Sequence, residues 1–461
     1  MTSRSTDGEA PAGGSAEGHR QGESRVIWEP GRATPVVATC DVLVAGGGPA
    51  GCAAAAAAAA AGAQVVLVER YGYLGGMSTG GFVLWIDRMS DWQGRPVVGG
   101  VGEELLSRLP EEALLGPPRS LWGSQETEAV AYWGVRHAAM HGVVTWSPTI
   151  DPEWLKLVNF DLLRERGVRL RLHSWVVAAL MENGAVAGAL LESKAGRAAV
   201  RARVVVDATG DGDVFTSGGA AYDTDVAEGT WHHTMNLGFR WAGVDTERFS
   251  ELLAAGAVRA LLADAEGFGA ADLPYLSPHP GVVFFMAPKL FGYDCLSVED
   301  LTAVELESRR LMRAMLLYYR DHVPGFERAW ILDTAPQLGV RHSRRLRGTH
   351  KVTRAQWLAG LRHEDEVGLC PSPSPEIPSI SIPLGCLVPG EVDGVLAAGR
   401  SLSCDALSHL YLREIPICWV TGQAAGVVAA LAAAAGCAPR EVPAAAVQQE
   451  LVRQGAVLRM G

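Results

Sequence analysis

The segment from Asp41 to Glu69 constrains this chain most. Asp41-Val-Leu-Val-Ala45 is a short apolar run of the kind that forms a buried strand. It leads directly into Gly46-Gly-Gly-Pro-Ala-Gly51. An alanine-rich stretch, 53–61, follows and reads as a helix stopped at Gly62, and a second apolar run from Val65 ends in Glu69. Gly46, Gly48 and Gly51 hold the three glycine positions of G-x-G-x-x-G. The first permits a tight turn, the second lets backbone approach a pyrophosphate, and the third lets the helix pack close to the strand. Pro49 and Ala50 open the helix, whose N-terminal N–H groups suit phosphate. Glu69 stands where a carboxylate can hold ribose hydroxyls. A lone glycine fingerprint is weak, but strand, helix and terminal acid together predict dinucleotide binding.

The overall balance excludes other classes. The 51 acidic and 40 basic residues give a net charge of −11, which argues against nucleic acid and against an anionic membrane surface. The alanine run is too short to span a bilayer. Eight cysteines occur without a C-x-x-C pair or zinc-finger spacing, so reduced, mostly buried thiols and no metal site are expected. Residues 1–35 are rich in Gly, Ser and Glu and read as a disordered tail with no export signal, consistent with a cytoplasmic protein.

The next segment, Arg70-Tyr-Gly-Tyr-Leu-Gly-Gly-Met-Ser-Thr-Gly-Gly81, is a second glycine-rich loop. A nicotinamide dehydrogenase does not need one here, whereas FAD extends past its pyrophosphate and must be passed along. Two further strand-to-glycine transitions lie downstream: Val204-Val-Val-Asp-Ala-Thr-Gly-Asp-Gly-Asp213 and Gly394-Val-Leu-Ala-Ala-Gly-Arg400. Before the first, the spacing predicts a helix over 151–166, a strand over 168–173 and a hairpin around Glu182-Asn-Gly184. After the second, Ile415-Pro416 opens a long alanine-rich helix. No second dinucleotide fingerprint is found: Gly210-Asp-Gly212 and Gly267-Phe-Gly269 both lack the third glycine.

With GGGPAG, LGGMSTGG at 74–81, DPEWLK at 151–156, DATGDGD at 207–213, GVRHSRRLRG at 339–348, and AAGRSLS with TGQAAG near the end, the chain resembles the FAD-dependent oxidoreductases related to fumarate reductase flavoproteins, within the glutathione reductase superfamily. The resemblance covers most of the chain from about Cys40 onward and is poor over 216–335. It implies that Gly46, Gly48 and Gly51 hold the pyrophosphate, and that Glu69, with Arg70 beside it, holds the adenosine ribose. Gly76, Met77, Ser78 and Thr79 would lie near the ribityl chain or flavin. Val176 or Val177 would meet the adenine, and Ala208, Thr209, Gly210 and Asp213 would line the cofactor's path. Gly399 and Arg400 would lie beside FAD. The helix opened by Ile415 and Pro416 would aim its positive end at the flavin.

For substrate chemistry the sequence offers side chains rather than a motif. Val340-Arg-His-Ser-Arg-Arg-Leu-Arg347 carries four arginines in an acidic chain. Arg341 and Arg344 suit a bidentate grip on a carboxylate or phosphate, although surface pairing or contact with FAD explains them equally well. His342 is a candidate acid or base. In Ser403–Arg413, His409 and Arg413 are preferred, with Tyr411 and Asp405 as partners and Cys404 as a buried thiol. One of His232 and His233 is a further candidate to face substrate, since neighbours on a strand point opposite ways. Trp85, Trp92, Trp122, Trp133 and Trp146 read as core filling, with an aromatic wall for a flat substrate as the sharper alternative.

The expected fold is α/β. A Rossmann-like FAD domain, with a parallel sheet and helices on both faces, is assembled from 36–215 and 381–461. An α+β substrate domain is inserted at 216–380, with a helix over 297–321. The expected function is FAD-dependent dehydrogenation of a small organic substrate with an acidic group, by hydride transfer to flavin N5, the flavin being reoxidised by dioxygen or another acceptor. A reductase or monooxygenase fed with external electrons is the alternative. A tRNA-associated flavoprotein and a flavin-binding protein without turnover are readings of other classes. A homo-oligomer is compatible with the sequence.

Overall fold

The computed structural model describes residues 27, 29, 31–226, 234–263, 265 and 273–459. The tail expected over 1–35, His232, His233 and the Gly267–Gly269 segment fall wholly or almost wholly outside the described residues.

Valine-rich runs build a seven-stranded sheet. Its parallel core is ordered Arg169–Arg171, Val65–Val68, Val36–Ala45, Gly196–Asp207, Val395–Ala397. Val65–Val68, Val395–Ala397 and the last four residues of Val36–Ala45 and of Gly196–Asp207 are buried on both faces, as parallel strands covered by helices must be. The antiparallel hairpin Ser174–Glu182 and Ala185–Ser193 adds to the first half of Gly196–Asp207. The strand expected to start near Val204 is therefore longer, because its first half supports that hairpin. The strand expected from Asp41 likewise begins at Val36.

Two alanine-rich helices cover one face. Pro49–Ala60 packs along Ile415–Ala435, and a Cβ on Gly422 or Gly426 would come within 2.1 Å of Ala50 O or 2.2 Å of Ala54 O. The alanines thus serve two contacts, with the sheet and with the second helix. Ile415–Ala435 is the one described helix long and apolar enough to cross a membrane, and 83% of its apolar window is buried inside the protein. Asp151 caps the expected helix, observed as Pro152–Glu165, by accepting from Trp154 N at 2.9 Å.

The inserted part contains a four-stranded antiparallel sheet, ordered Tyr275–Leu276, Val282–Phe285, Phe239–Ala242, Trp330–Thr334. The expected long helix, Val298–His322, packs on it through Met312, Met315 and Tyr319, against Phe239, Trp241 and Phe285. Residues Pro35–Gly461 form one compact unit. Of the five tryptophans read as core filling, Trp92 and Trp133 are buried, and Trp122 stacks on Trp146 at 4.9 Å. Trp85 is the exception, described below.

Candidate active site

Every parallel strand of the core except the edge strand Arg169–Arg171 delivers its carboxyl end to one elongated cavity: Gly46 after Ala45, Glu69 after Val68, Ala208–Gly210 after Asp207, and Ala398–Arg400 after Ala397. This is where ligands bind in open α/β sheets. The first helix starts at Pro49 with no side-chain cap from Gly48, and the long alanine-rich helix starts at Ile415 with none from Glu414. Both uncapped N-termini reach this cavity, through Ala50 and Ile415. Two helix starts with unsatisfied N–H groups make it a strong anion site.

The glycine loop fits a dinucleotide. Gly46 has φ +99°, and a Cβ there would lie 2.4 Å from Ala208 O; one on Gly51 would lie 1.8 Å from Gly46 O. Both positions exclude side chains so that the loop can fold flat against the sheet. Gly48, in contrast, has open space where a Cβ would stand and lines the cavity, which is the place for close approach to a phosphate. Glu69 accepts from Gly47 N at 2.6 Å and Tyr71 N at 2.9 Å, so its carboxylate also clamps the loop. A carboxylate has lone pairs left for a ribose after two such bonds.

A smaller adjoining pocket shares Gly46, Glu69, Arg70 and Thr209 and continues to Trp175, Val176 and Asp213. Arg70 lies over the Trp175 ring, 5.3 Å from its centroid. Burial, with Asp207 and Asp211 nearby, raises the Asp213 carboxyl to about 6 against the pull of Arg344. Asp207 itself is buried as the hub of this turn, accepting from Thr209 Oγ1 at 2.7 Å, Val214 N at 2.8 Å and Phe215 N at 2.9 Å. Arg400 is aimed by Asp211 Oδ1 and Val340 O, each at 2.7 Å.

Several expected cofactor residues act otherwise. Gly76, Met77 and Ile415 line the cavity, but Ser78, Thr79 and Pro416 are not among its lining residues. The Ser78 and Thr79 hydroxyls turn inward and donate to Gly75 O at 2.8 Å and Leu74 O at 2.6 Å, so they hold the loop's own backbone. Gly51 is a packing glycine rather than a lining one.

The candidate substrate residues separate sharply. Arg341 and Arg413 line the cavity; His342, Arg344 and His409 do not. His409 is buried, its Nε2 2.9 Å from Arg400 O, and burial with Arg413, Arg345 and His342 around it holds its pKa well below normal. His342 is tied up by Thr224 O at 2.9 Å and Arg345 Nη1 at 3.2 Å. Arg344 faces the cofactor end, 3.5 Å from Asp213. Cys404 is a buried thiol, raised to about 12 by burial. Asp405 serves the backbone, accepting from Ser408 N at 2.7 Å and Arg354 N at 2.8 Å.

Other side chains complete the cavity: Trp85, Asn236, Tyr275, Met286, Lys289 and Glu414. Arg341 donates to Thr234 Oγ1 at 2.9 Å and Asn236 Oδ1 at 2.8 Å, which fixes its guanidinium. Glu414 lies 3.6 Å from Arg413 Nη2. Burial raises the Glu414 pKa; Arg413, Arg341 and Arg88 oppose the rise and Asp87 adds to it. Burial also pushes the Tyr275 hydroxyl up to about 12, with Arg341 opposing and Asp87 and Glu414 adding. Arg341, Tyr275 and Glu414 therefore feel one another at one end of the cavity. Glu414 had a sequence signal, an acid directly ahead of a proline-started helix. Tyr275, in a two-residue strand, had none.

The sequence model of the family described as FAD dependent oxidoreductase matches residues 41–451. Comparison with curated proteins returned no match. Among solved structures, a geranylgeranyl bacteriochlorophyll reductase-like protein from Thermoplasma acidophilum is 15% identical, with 90% of this chain and 82% of that one covered and a TM-score of 0.45. For p-nitrophenol 4-monooxygenase from Pseudomonas putida the identity is 13%, the coverage 91% and 85%, and the TM-score 0.45. For an L-amino acid deaminase from Proteus vulgaris lacking its specific insertion, they are 12%, 89% and 93%, and 0.41. Likeness at this level bears on neither reaction nor substrate. The glycine cradle fits the cofactor of the matched family, and the chain belongs to the FAD-dependent oxidoreductases, with FAD as its cofactor.

Proposed function

We propose that this chain dehydrogenates a small organic acid at the end of the cavity bounded by Arg341, Tyr275 and Glu414. The observation that carries the reading is the meeting there of a fixed guanidinium with a carboxylate of raised pKa. Arg341 binds and orients the acid group of the substrate. Glu414 takes the proton released as the substrate is oxidised, in place of His342 or His409, since neither histidine lines the cavity. Arg413 keeps Glu414 ionised enough to act as a base, and burial keeps it basic enough to hold the proton. Bound FAD supplies the acceptor for the hydride, and dioxygen or another acceptor then takes the electrons. The motif resemblance to fumarate-reductase-type flavoproteins is compatible with such an anionic substrate.

The test is anaerobic mixing of the holoprotein with small carboxylic acids bearing an oxidisable C–H. Bleaching of the visible flavin band without added reductant supports the reading. Bleaching only on addition of an external reductant would replace it with a reductase or monooxygenase.

A further inference from the structure

We propose that the substrate end is built for a flat ring carrying a carboxylate, an aromatic acid, in preference to a saturated acid. The proposal rests on the preceding reading that this end of the cavity takes the substrate. It adds the chemical class.

The wall is made of rings locked by one another. Trp85 and Tyr275 line the cavity, 6.0 Å apart and inclined by 32°. Behind them, Tyr275 stacks on Phe284 at 5.1 Å and lies tilted by 31° against His137 at 4.1 Å, and Trp85 meets His137 edge-on at 6.2 Å. The Trp85 Nε1 donates to His137 O at 3.0 Å, so its one polar atom is spent on holding the ring in place. His137 is held in a left-handed conformation, φ +59°. Burial takes it down to about 4, so its imidazole is neutral at physiological pH and serves as a plate. Its Nδ1 is buried without a hydrogen-bond partner among the described residues. Fixed rings reward a flat partner, because offset stacking adds to simple burial only when both surfaces are planar. Met286 lines the cavity beside them and supplies a polarizable contact for a ring edge.

The charges select the second feature. Arg341 and Arg413 line the cavity with Glu414, and Asp87 lies close enough to act on that carboxylate. The planar fork of Arg341, held by Thr234 and Asn236, matches a carboxylate. The Tyr275 hydroxyl has no hydrogen-bond partner among the described residues, although burial has stripped it of much solvent. It is available to a polar atom of the ligand.

The experiment is an equilibrium titration of oxidised holoprotein with benzoate, cyclohexanecarboxylate and benzamide, followed by the perturbation of the flavin spectrum. Benzoate is expected to bind about fivefold more tightly than the saturated acid, the worth of one good ring contact. Benzamide, which keeps the ring and loses the charge, is expected to bind about 30-fold more weakly than benzoate. Trp85→Leu should bring benzoate and cyclohexanecarboxylate within about twofold of each other. Should that variant fail to retain FAD, Tyr275→Leu reads the same ratio. Equal binding of the two acids by the native protein, an unchanged ratio in both variants, or no binding of benzoate overturns the proposal. Benzoate binding without flavin reduction by any acid would instead sink the dehydrogenation reading alone. Saturated acids that bleach the flavin while benzoate fails to bind would sink this proposal alone.

Discussion

The two ends of the cavity are made of different material. The cofactor end is backbone: glycines at 46, 48 and 51, two uncapped helix starts, and strand ends in sequence order. Its side chains, Glu69, Asp207, Ser78 and Thr79, mostly hold that backbone in shape. The substrate end is side chains: Trp85, Tyr275, Arg341 and Glu414, drawn from four distant stretches of the chain. Backbone sites demand fixed spacing, since a turn and a helix start must follow one another. Side-chain sites demand only that the fold bring atoms together. The first kind tolerates almost no added atoms; the second tolerates substitution structurally but not chemically.

That contrast can be broken at either end. The effect that reaches furthest, through both fold and cofactor, is expected at the cofactor end from Gly51→Val, whose Cβ would already lie 1.8 Å from Gly46 O. Overpacking of about 1–3 kcal/mol or more should appear in thermal melts, with loss of bound FAD measured by absorbance. A variant that melts normally and keeps FAD would mean that the loop is not the close-packed element described. At the substrate end, Glu414→Gln should keep FAD content and melting temperature and slow flavin reduction by about 10²–10⁴-fold in anaerobic stopped-flow traces. Loss of FAD in this variant would assign Glu414 to the cofactor end instead.

A smaller effect sharpens the electrostatics. Glu414 must be ionised to accept a proton, so the reduction rate should rise with pH through a pKa above the ordinary carboxylate range, as burial dictates. Arg413 lowers that pKa, so Arg413→Met should move the rising limb to higher pH. A shift to lower pH would contradict the pairing. Glu69→Ala removes the acceptor of two backbone N–H groups and should weaken FAD retention by about 1–3 kcal/mol, read by cofactor dissociation on dilution. The smallest effect is expected from His342→Ala, which should leave flavin reduction within about threefold of native and its pH profile in place. A lost pH limb would return the base to the histidine.

The same contrast explains what could be read in advance. The dinucleotide cradle was legible because Gly46, Gly48, Gly51 and Glu69 obey a spacing with a mechanical reason. The parallel sheet followed from the valine runs that end in those loops. Ser78 and Thr79 lie in the loop that the family resemblance places beside the cofactor. Loop membership says nothing about which way a hydroxyl turns, and both turn to their own backbone. His342 and His409 were attractive as titratable groups near flavin-facing segments. Whether an imidazole faces a cavity or a carbonyl is set by packing, and both found carbonyls. Glu414 carries a visible signal, an acid just ahead of a helix start, beside the more conspicuous Arg413. Trp85 suits core filling by sequence alone, and its place in the wall depends on Tyr275, nearly 200 residues away in the chain.

The central claim is that the substrate end both binds an acid and removes its proton. It is tested most directly by anaerobic reduction of the flavin, native protein against Glu414→Gln, with the same carboxylic acid across pH. The account predicts bleaching of the native protein with a rising pH limb, and slow, pH-independent bleaching of the variant at equal FAD content. Equal rates and equal pH profiles in the two proteins would contradict it.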